Sequence, residues 1–422
     1  ELTCVKYDEN VATIFFDQQL TYGQVRDQVR RLATALRGMG VKKGDRVAIM
    51  LPNSPQFIIS YYGALEAGAT VVNISPLHVE RELEYEFNDS GSETLIYLDL
   101  FDARIQAVKG KSPLKRIIAS SITDYMETPV NPNVEKDPST YYLKEVIADA
   151  EPEVSEVEID PENDLAALQY TGGTTGLPKG VMITHRNYMT TAIGMGLALE
   201  FQPHYSTLQV LPIFHTAWWP ILLHHCAGCK AVIAKRFDFN EILATVEREK
   251  VTHINMVPVL FSWILNFPDL DKYDLSSIRY FSYAGAPMPE DVLRRCVARF
   301  GPIFQQGYGL TEAAPLGTIL REEDQCRLEG PPELVRRINS CGRESLVTEV
   351  RVVDEEDNEV PVGEVGEIVI RGKNVMLGYW KDPELTARTL RNGWLHTGDL
   401  ATVDEDGYIY IVDRKNDMII TG

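Results

Sequence analysis

Between Thr21 and Ala119, short apolar runs alternate with stretches of helical period, and a chain patterned this way has few folds open to it. Apolar residues recur at helical spacing from Thr21 to Met39, with Gly40 as a stop. Residues 46–51 then read as a strand, 55–66 as a helix and 69–73 as the next strand. A helix near 80–88 and strands near 94–97 and 115–119 continue the series. Such alternation predicts a parallel sheet covered by helices. The rhythm breaks over residues 123–160, where repeated prolines and many acidic residues predict a loop-rich surface excursion. It restarts with helices predicted near 187–199, 218–226, 240–249, 259–265 and 289–300. Strands are predicted near 207–211, 230–234, 252–256, 278–283 and 303–306. Beyond Leu316 the period changes again. Residues 346–353, 366–371 and 408–412 read as strands separated by turn signals. The expected fold class is α/β: two stacked, mostly parallel α/β subdomains (1–162 and 163–315) followed by a small β-rich subdomain (316–414).

Charge and cysteine content narrow the function. A formal net charge of −20 argues against general binding to nucleic acid or anionic membrane, yet a nucleotide pocket needs only local positive charge and aligned amides. The longest apolar runs fall short of a membrane span, and no basic-then-apolar leader pattern opens the chain. Six cysteines in 422 residues do not make a disulfide framework. Cys226 and Cys229, beside His224 and His225, invite a zinc reading. Without a second ligand pair at matching spacing, core packing of an apolar helix is the expectation.

The stretch Thr171–Gly180, TGGTTGLPKG, concentrates four glycines, three threonines and a lysine in ten residues. Glycine lets the backbone approach an anion, amides and hydroxyls supply donors, and Lys179 supplies charge, which together predict a polyphosphate cradle. The spacing is not that of a Walker loop. Residues 164–170 and 181–184 both read as strands, so the loop is expected at the tip of a hairpin. Three further stretches follow strands or turns: Tyr283–Pro287 (YAGAP), Gln305–Glu312 (QQGYGLTE), and Thr397-Gly398-Asp399 with Asp413-Arg414-Lys415. Tyr308 has a face for a base, Thr311 a hydroxyl for phosphate, and Glu312 a carboxylate for Mg²⁺. An aspartate such as Asp399 suits vicinal ribose hydroxyls, and Arg414 suits ribose or phosphate oxygens. Each stretch taken singly reads equally well as a turn with an ordinary buried tyrosine.

Taken together, YTGGTTGLPKG, GYGLTE, WLHTGDL and DRKNDMI resemble the adenylate-forming acyl-CoA synthetase superfamily along the whole chain. The resemblance implies the adenylate-forming enzyme fold and an acid-thiol ligase that uses ATP, Mg²⁺ and coenzyme A with a small-molecule carboxylic acid. It places Thr171, Gly172, Gly173, Thr174, Thr175, Gly176 and Lys179 on the phosphates. Gly285, Ala286, Pro287, Gln306, Gly307 and Tyr308 fall on adenine, Thr311 and Glu312 on the α-phosphate and the metal, and Asp399 and Arg414 on the ribose. His215 falls beside the reacting carboxylate, so Lys179, His215, Thr311 and Glu312 are the catalytic candidates. The stretches 73–77 and 81–84 resemble the fatty-acyl branch in particular, and Trp219 its acyl-tunnel tryptophan. Aryl-acid ligases, other adenylate-forming branches and a non-catalytic nucleotide-binding protein of the same fold are the alternatives. A hinge is implied at Asn416, where the family usually has Asp or Lys, within 415–422. The family's C-terminal lid would follow, so these residues alone are expected to bind ATP with little complete ligase activity. Location is expected to be cytoplasmic, with peripheral contact at a membrane open to a long-chain acid user. No feature of the sequence reports the oligomeric state.

Overall fold

The computed structural model describes residues 2–16, 18–135, 137–154, 156–172, 177–215, 218–234 and 236–415, with backbone only at Trp218 and Trp219. Local chemistry sets the helix starts. Thr21 caps the helix Tyr22–Gly38 in a reciprocal box with Gln24, and Ser54 caps Pro55–Glu66, whose first residue is the proline. The strands Arg46–Met50, Thr70–Asn73 and Thr94–Leu98 are buried along almost their whole length, as strands of a sheet covered on both faces must be.

Among the described residues the strands form three sheets. The first has eight strands in the order Gly378–Tyr379, Lys179–Thr184, Leu165–Thr171, Thr70–Asn73, Arg46–Met50, Thr94–Leu98, Arg116–Ser120 and Thr140–Tyr142. Its centre is parallel, and only the hairpin 165–184 and the added strand 378–379 are antiparallel. The second has nine strands and a parallel centre built from Lys230–Ile233, Ser206–Gln209, His253–Met256, Tyr280–Tyr283 and Phe304–Tyr308. The third is a five-stranded antiparallel sheet of residues 348–414. The expected α/β class with a β-rich C-terminal part is the fold.

Strand pairing does not follow the expected chain divisions. The hairpin 165–184 completes the first sheet, while Val11–Phe15 and Gln18–Thr21, near the N-terminus, extend the second. Divisions at 162 and 315 therefore cut across hydrogen-bonded sheets, because a strand's partner is set by the edge it meets rather than by its place in the chain. The loop-rich excursion expected over 123–160 also contains a strand, Thr140–Tyr142, and a helix, Leu143–Ala148. Both are too short for a periodic signal, but Leu143, Val146 and Ile147 are buried and hold the segment to the core.

Candidate active site

The hairpin expected around the glycine-rich loop is present. Leu165–Thr171 and Lys179–Thr184 pair antiparallel, with Thr171 opposite Lys179 at the mouth of the loop. The Thr171 hydroxyl donates to the Lys179 carbonyl at 3.5 Å. Gly172 lies at the edge of the described loop, and Gly173, Thr174, Thr175 and Gly176 lie outside the described residues. The far side of the loop is anchored by Tyr85, whose hydroxyl donates to the Pro178 carbonyl at 3.0 Å.

Lys179 is exposed, and its Nζ lies 5.9 Å from the centre of the Tyr379 ring. Tyr379 reaches this position because Gly378 and Tyr379 add to the free edge of the hairpin, opposite Met182 and Val181. Its hydroxyl donates to Glu312 Oε1 at 2.7 Å, and Oε2 has no partner among the described residues. Burial and the Glu312 charge both push the Tyr379 phenol upward, so it stays protonated as a donor. The Met376 amide donates to the Glu312 carbonyl at 2.8 Å. Tyr379 therefore joins the exposed lysine of the loop to the carboxylate of the GLTE stretch.

A second chain of contacts runs beside it. Tyr280–Tyr283 and Phe304–Tyr308 are parallel neighbours with Tyr283 opposite Gln306, so the segments after them, Gly285-Ala286-Pro287 and Gly307 to Glu312, emerge side by side. Gly285, Ala286 and Pro287 are exposed, and Gly285 has φ +83°. A Cβ added to Gly309 would lie 2.1 Å from the Pro315 carbonyl oxygen, so only glycine fits the turn there. Tyr308 donates its hydroxyl to Asp399 Oδ2 at 2.7 Å, and Arg414 Nε lies 3.3 Å from Asp399 Oδ1. Asp399 and Arg414 face each other across the pair Trp394–Val403 and Ile409–Arg414. Asp399 is nearly buried, whereas the Arg414 side chain is 69% exposed. Behind them, Glu367 accepts from the Gly398 amide at 3.0 Å and lies 3.3 Å from both His396 Nδ1 and Lys415 Nζ. Burial raises the Glu367 carboxyl, but these partners outweigh it and hold the group below the ordinary carboxylate value.

His215 is exposed at the end of the segment after Ser206–Gln209, and the helix Trp218–Ala227 follows. The approach to it is fixed by Asn53, which accepts from the Ile213 amide and donates to the Leu211 carbonyl, both at 2.9 Å. Protein packed around the imidazole lowers its pKa, and His78 adds to the shift, so His215 is neutral near pH 7. The Trp219 side chain lies outside the described atoms. Of the CxxC pair only Cys229 packs as expected: it is buried, donates its thiol to the Gln202 carbonyl at 3.1 Å, and has its pKa pushed to about 12 by burial, whereas Cys226 is exposed. Among the described residues no three His, Cys, Asp or Glu side chains are grouped to hold a metal.

The structure brings Lys179 to Tyr379 and Glu312, and Tyr308 to Asp399 and Arg414. Sequence reasoning missed Tyr379 and Tyr85, because their roles depend on an added strand and on a helix distant in the chain. The only local signal for Tyr379 is the GYW run at 378–380.

Tyr308 at the end of a parallel strand thus meets an aspartate and an arginine of the antiparallel third sheet, while the lysine of the glycine-rich hairpin meets the tyrosine that holds Glu312. A profile of the family described as AMP-binding enzyme matches residues 1–380, and the chain belongs to that family. It is 34% identical over 438 residues to a long-chain-fatty-acid–CoA ligase of Bacillus subtilis (strain 168), covering 100% of this chain and 76% of the relative. A feruloyl-CoA synthase of Amycolatopsis sp is 36% identical over 408 residues, covering 96% and 75%. Among solved structures, the inhibitor-bound N-terminal domain of FACL13 from Mycobacterium tuberculosis superposes with TM-score 0.84 at 30% identity, covering 98% of each chain. The anthranilate CoA ligase AuaEII in complex with anthranoyl-AMP gives 0.88 at 25%, covering 99% of this chain and 77% of its own. Among the described residues no helix is long and apolar enough to cross a membrane.

Proposed function

We propose that this protein activates a medium- or long-chain fatty acid with ATP, releasing pyrophosphate and forming an acyl-adenylate, and then passes the acyl group to coenzyme A. One observation carries the reading: Lys179, Tyr379 and Glu312 form one continuous chain, and Tyr308, Asp399 and Arg414 form another. The first supplies charge and a metal-binding oxygen for phosphates, and the second supplies a ring face and ribose partners.

In this reading Asp399 and Arg414 take the ribose. Tyr308, Gln306, Gly307 and the backbone of Gly285 to Pro287 take the adenine. Thr311 donates to the α-phosphate, and Thr171 to Gly176 with Lys179 cradle the outer phosphates. Glu312 fits Mg²⁺, since one carboxylate oxygen is held by Tyr379 and the other has no partner among the described residues, and Mg²⁺ commonly takes one or two carboxylates plus substrate phosphates. When bound, Mg²⁺ neutralises phosphate charge. The fatty carboxylate is already ionised near neutral pH, so its oxygen attacks the α-phosphorus without a general base while the bond to pyrophosphate breaks. Neutral His215 steadies that carboxylate as a donor, and the acyl chain passes Trp219. Attraction between two anions has to be created, so the residues act by position and charge. The coenzyme A thiol then attacks the acyl carbonyl and AMP leaves.

An aromatic acid is the second reading, favoured by the similarity to the feruloyl-CoA synthase. Acid-dependent pyrophosphate release by the full-length protein, measured from octanoate to stearate and with benzoate, coumarate and amino acids, tests both. Release with none of these acids, or cleavage of ATP between its β and γ phosphates, overturns the proposal.

A further inference from the structure

Three neighbouring strands of the first sheet, Arg46–Met50, Thr70–Asn73 and Leu165–Thr171, run parallel, with Ile49 opposite Asn73 and Asn73 opposite Gln169. Their carboxyl ends therefore open on one edge. Beyond the first comes Asn53, which fixes the approach to His215, and beyond the third comes the glycine-rich loop. Beyond the middle strand comes His78, in a turn whose start is pinned by the Ile74 amide donating to the Ile49 carbonyl at 3.0 Å. The helix Glu80–Ser90 that follows is tied to the loop by Tyr85 on the Pro178 carbonyl. His78 thus lies on the edge shared by the loop and the His215 segment, and its charge reaches the His215 imidazole.

His78 Nδ1 lies 3.1 Å from Glu86 Oε2. Glu86 is 0% exposed, and its other oxygen is buried without a partner among the described residues. A buried carboxylate with so few partners favours positive charge on the one it has. Hydrogen bonding to Glu86 accordingly raises the His78 pKa against the opposing effect of burial, and Glu82 adds a smaller rise. The Arg104 guanidinium donates to the His78 carbonyl at 2.6 Å rather than to the ring. With the Nδ1 hydrogen given to Glu86, Nε2 is the basic atom of the ring, and it has no partner among the described residues. A base oriented by a third group is the arrangement that activates a nucleophile. The two histidines of this edge are pushed apart, His215 toward the neutral form and His78 toward the charged one, and such divergence marks separate roles.

Only one step of the proposed reaction has a proton to move. The acid enters as a carboxylate, whereas coenzyme A enters as a thiol and attacks as a thiolate. We propose that His78, oriented by Glu86, is the general base that takes the coenzyme A thiol proton at Nε2. The sulfur then bonds to the acyl carbonyl carbon, the bond from that carbon to the AMP phosphate oxygen breaks, and AMP leaves as an anion without needing the proton. His78 releases the proton to solvent. The inference rests on the acid-activating and acyl-transferring function proposed above.

The test uses the full-length protein loaded with acyl-adenylate and then mixed with coenzyme A, so that thioester formation is timed apart from pyrophosphate release. The wild-type rate should rise with pH and level off, with a midpoint above the ordinary histidine value of about 6.5 and below the ordinary thiol value of about 8.5. Glu86→Gln should move that midpoint down by about one pH unit, a displacement that lost packing alone does not produce. His78→Phe should slow thioester formation at pH 7 about a hundredfold more than it slows pyrophosphate release, and its rate should keep climbing toward the thiol value. A wild-type rate that climbs to the thiol value without levelling off, or a loss in His78→Phe that only matches its loss of pyrophosphate release, overturns the inference while acid activation stands. Absence of acid-dependent pyrophosphate release by the wild type overturns the underlying function as well. The wild-type profile decides the question where a variant fails to fold.

Discussion

Tyr379 shows how one side chain couples two stretches that the sequence presents as separate. Its ring lies under the Lys179 ammonium, and its hydroxyl holds one oxygen of Glu312. A hydrogen bond to a charged group contributes about 1.5–3 kcal/mol. Tyr379→Phe in the full-length protein should therefore raise the Mg²⁺ concentration needed for half-maximal pyrophosphate release by roughly ten- to a hundredfold, with the circular dichroism spectrum unchanged. An unaltered Mg²⁺ titration would leave Tyr379 as packing alone. Asp399 is a second such point, since it meets the Tyr308 hydroxyl and the Arg414 guanidinium on its two oxygens. Asp399→Ala should weaken ATP binding by a similar factor in calorimetry, and equal affinity would remove Asp399 from the ribose role.

At the scale of elements, the helix Trp218–Ala227 and the strand His253–Met256 carry three buried histidines: His224, His225 and His253. Burial is the leading cause in each case, lowering His224 well below its ordinary value, His225 to about 4 and His253 to about 3. A histidine held neutral when folded takes up a proton on unfolding once the pH falls below its unfolded pKa of about 6.5. The stability these groups contribute is thus complete above that value and is lost as pH falls toward their folded values. Each costs up to about 1.4 kcal/mol per pH unit, so unfolding midpoints in urea should drop steeply between pH 6.5 and 4. His253→Phe should reduce that slope by about one proton, and a slope identical to wild type would contradict the neutral buried state. The His78–Glu86 pair in the first sheet's helical layer runs the other way. Hydrogen bonding to Glu86 raises His78, and burial raises Glu86, so this pair stabilises below the unfolded His value and fades as pH rises through the folded one.

Over the whole molecule, the C-terminal part is bound into the first sheet rather than appended to it. Asn187, in the helix His185–Ala198 after the glycine-rich hairpin, donates to the Lys373 carbonyl at 2.9 Å and to the Val375 carbonyl at 2.8 Å, and accepts from the Thr184 amide at 2.7 Å. Trp380 Nε1 donates to the Asp89 carbonyl at 3.0 Å, closing the same junction from another side. Asn187→Ala removes three bonds to backbone groups at a nearly buried site and should cost about 2–4 kcal/mol in denaturant unfolding. Hydrogen exchange should show the amides of residues 181–182 and 378–379 losing protection together. Loss confined to one of the two strands would mean that the junction is not cooperative.

Most elements were legible because their signals are local. Pro55–Glu66 has its capping serine, its first-turn proline and a continuous apolar run, and the strands Arg46–Met50 and Lys230–Ile233 are short apolar runs bounded by turns. The hairpin around the glycine-rich loop was legible for the same reason, and so were the separate stretches that carry Lys179, Tyr308, Glu312, Asp399 and Arg414. Which strand lies beside which was not, because backbone hydrogen bonds between distant segments depend on edges that exist only once the sheets have formed. The sequence by itself determined the α/β class and the motifs of the family. The tertiary structure alone decided that the N-terminal hairpin joins the second sheet, that Gly378–Tyr379 closes the first, and that Tyr379 bridges Lys179 to Glu312. Composition and periodicity record what each segment buries, whereas the partner it buries against is settled by packing across hundreds of residues.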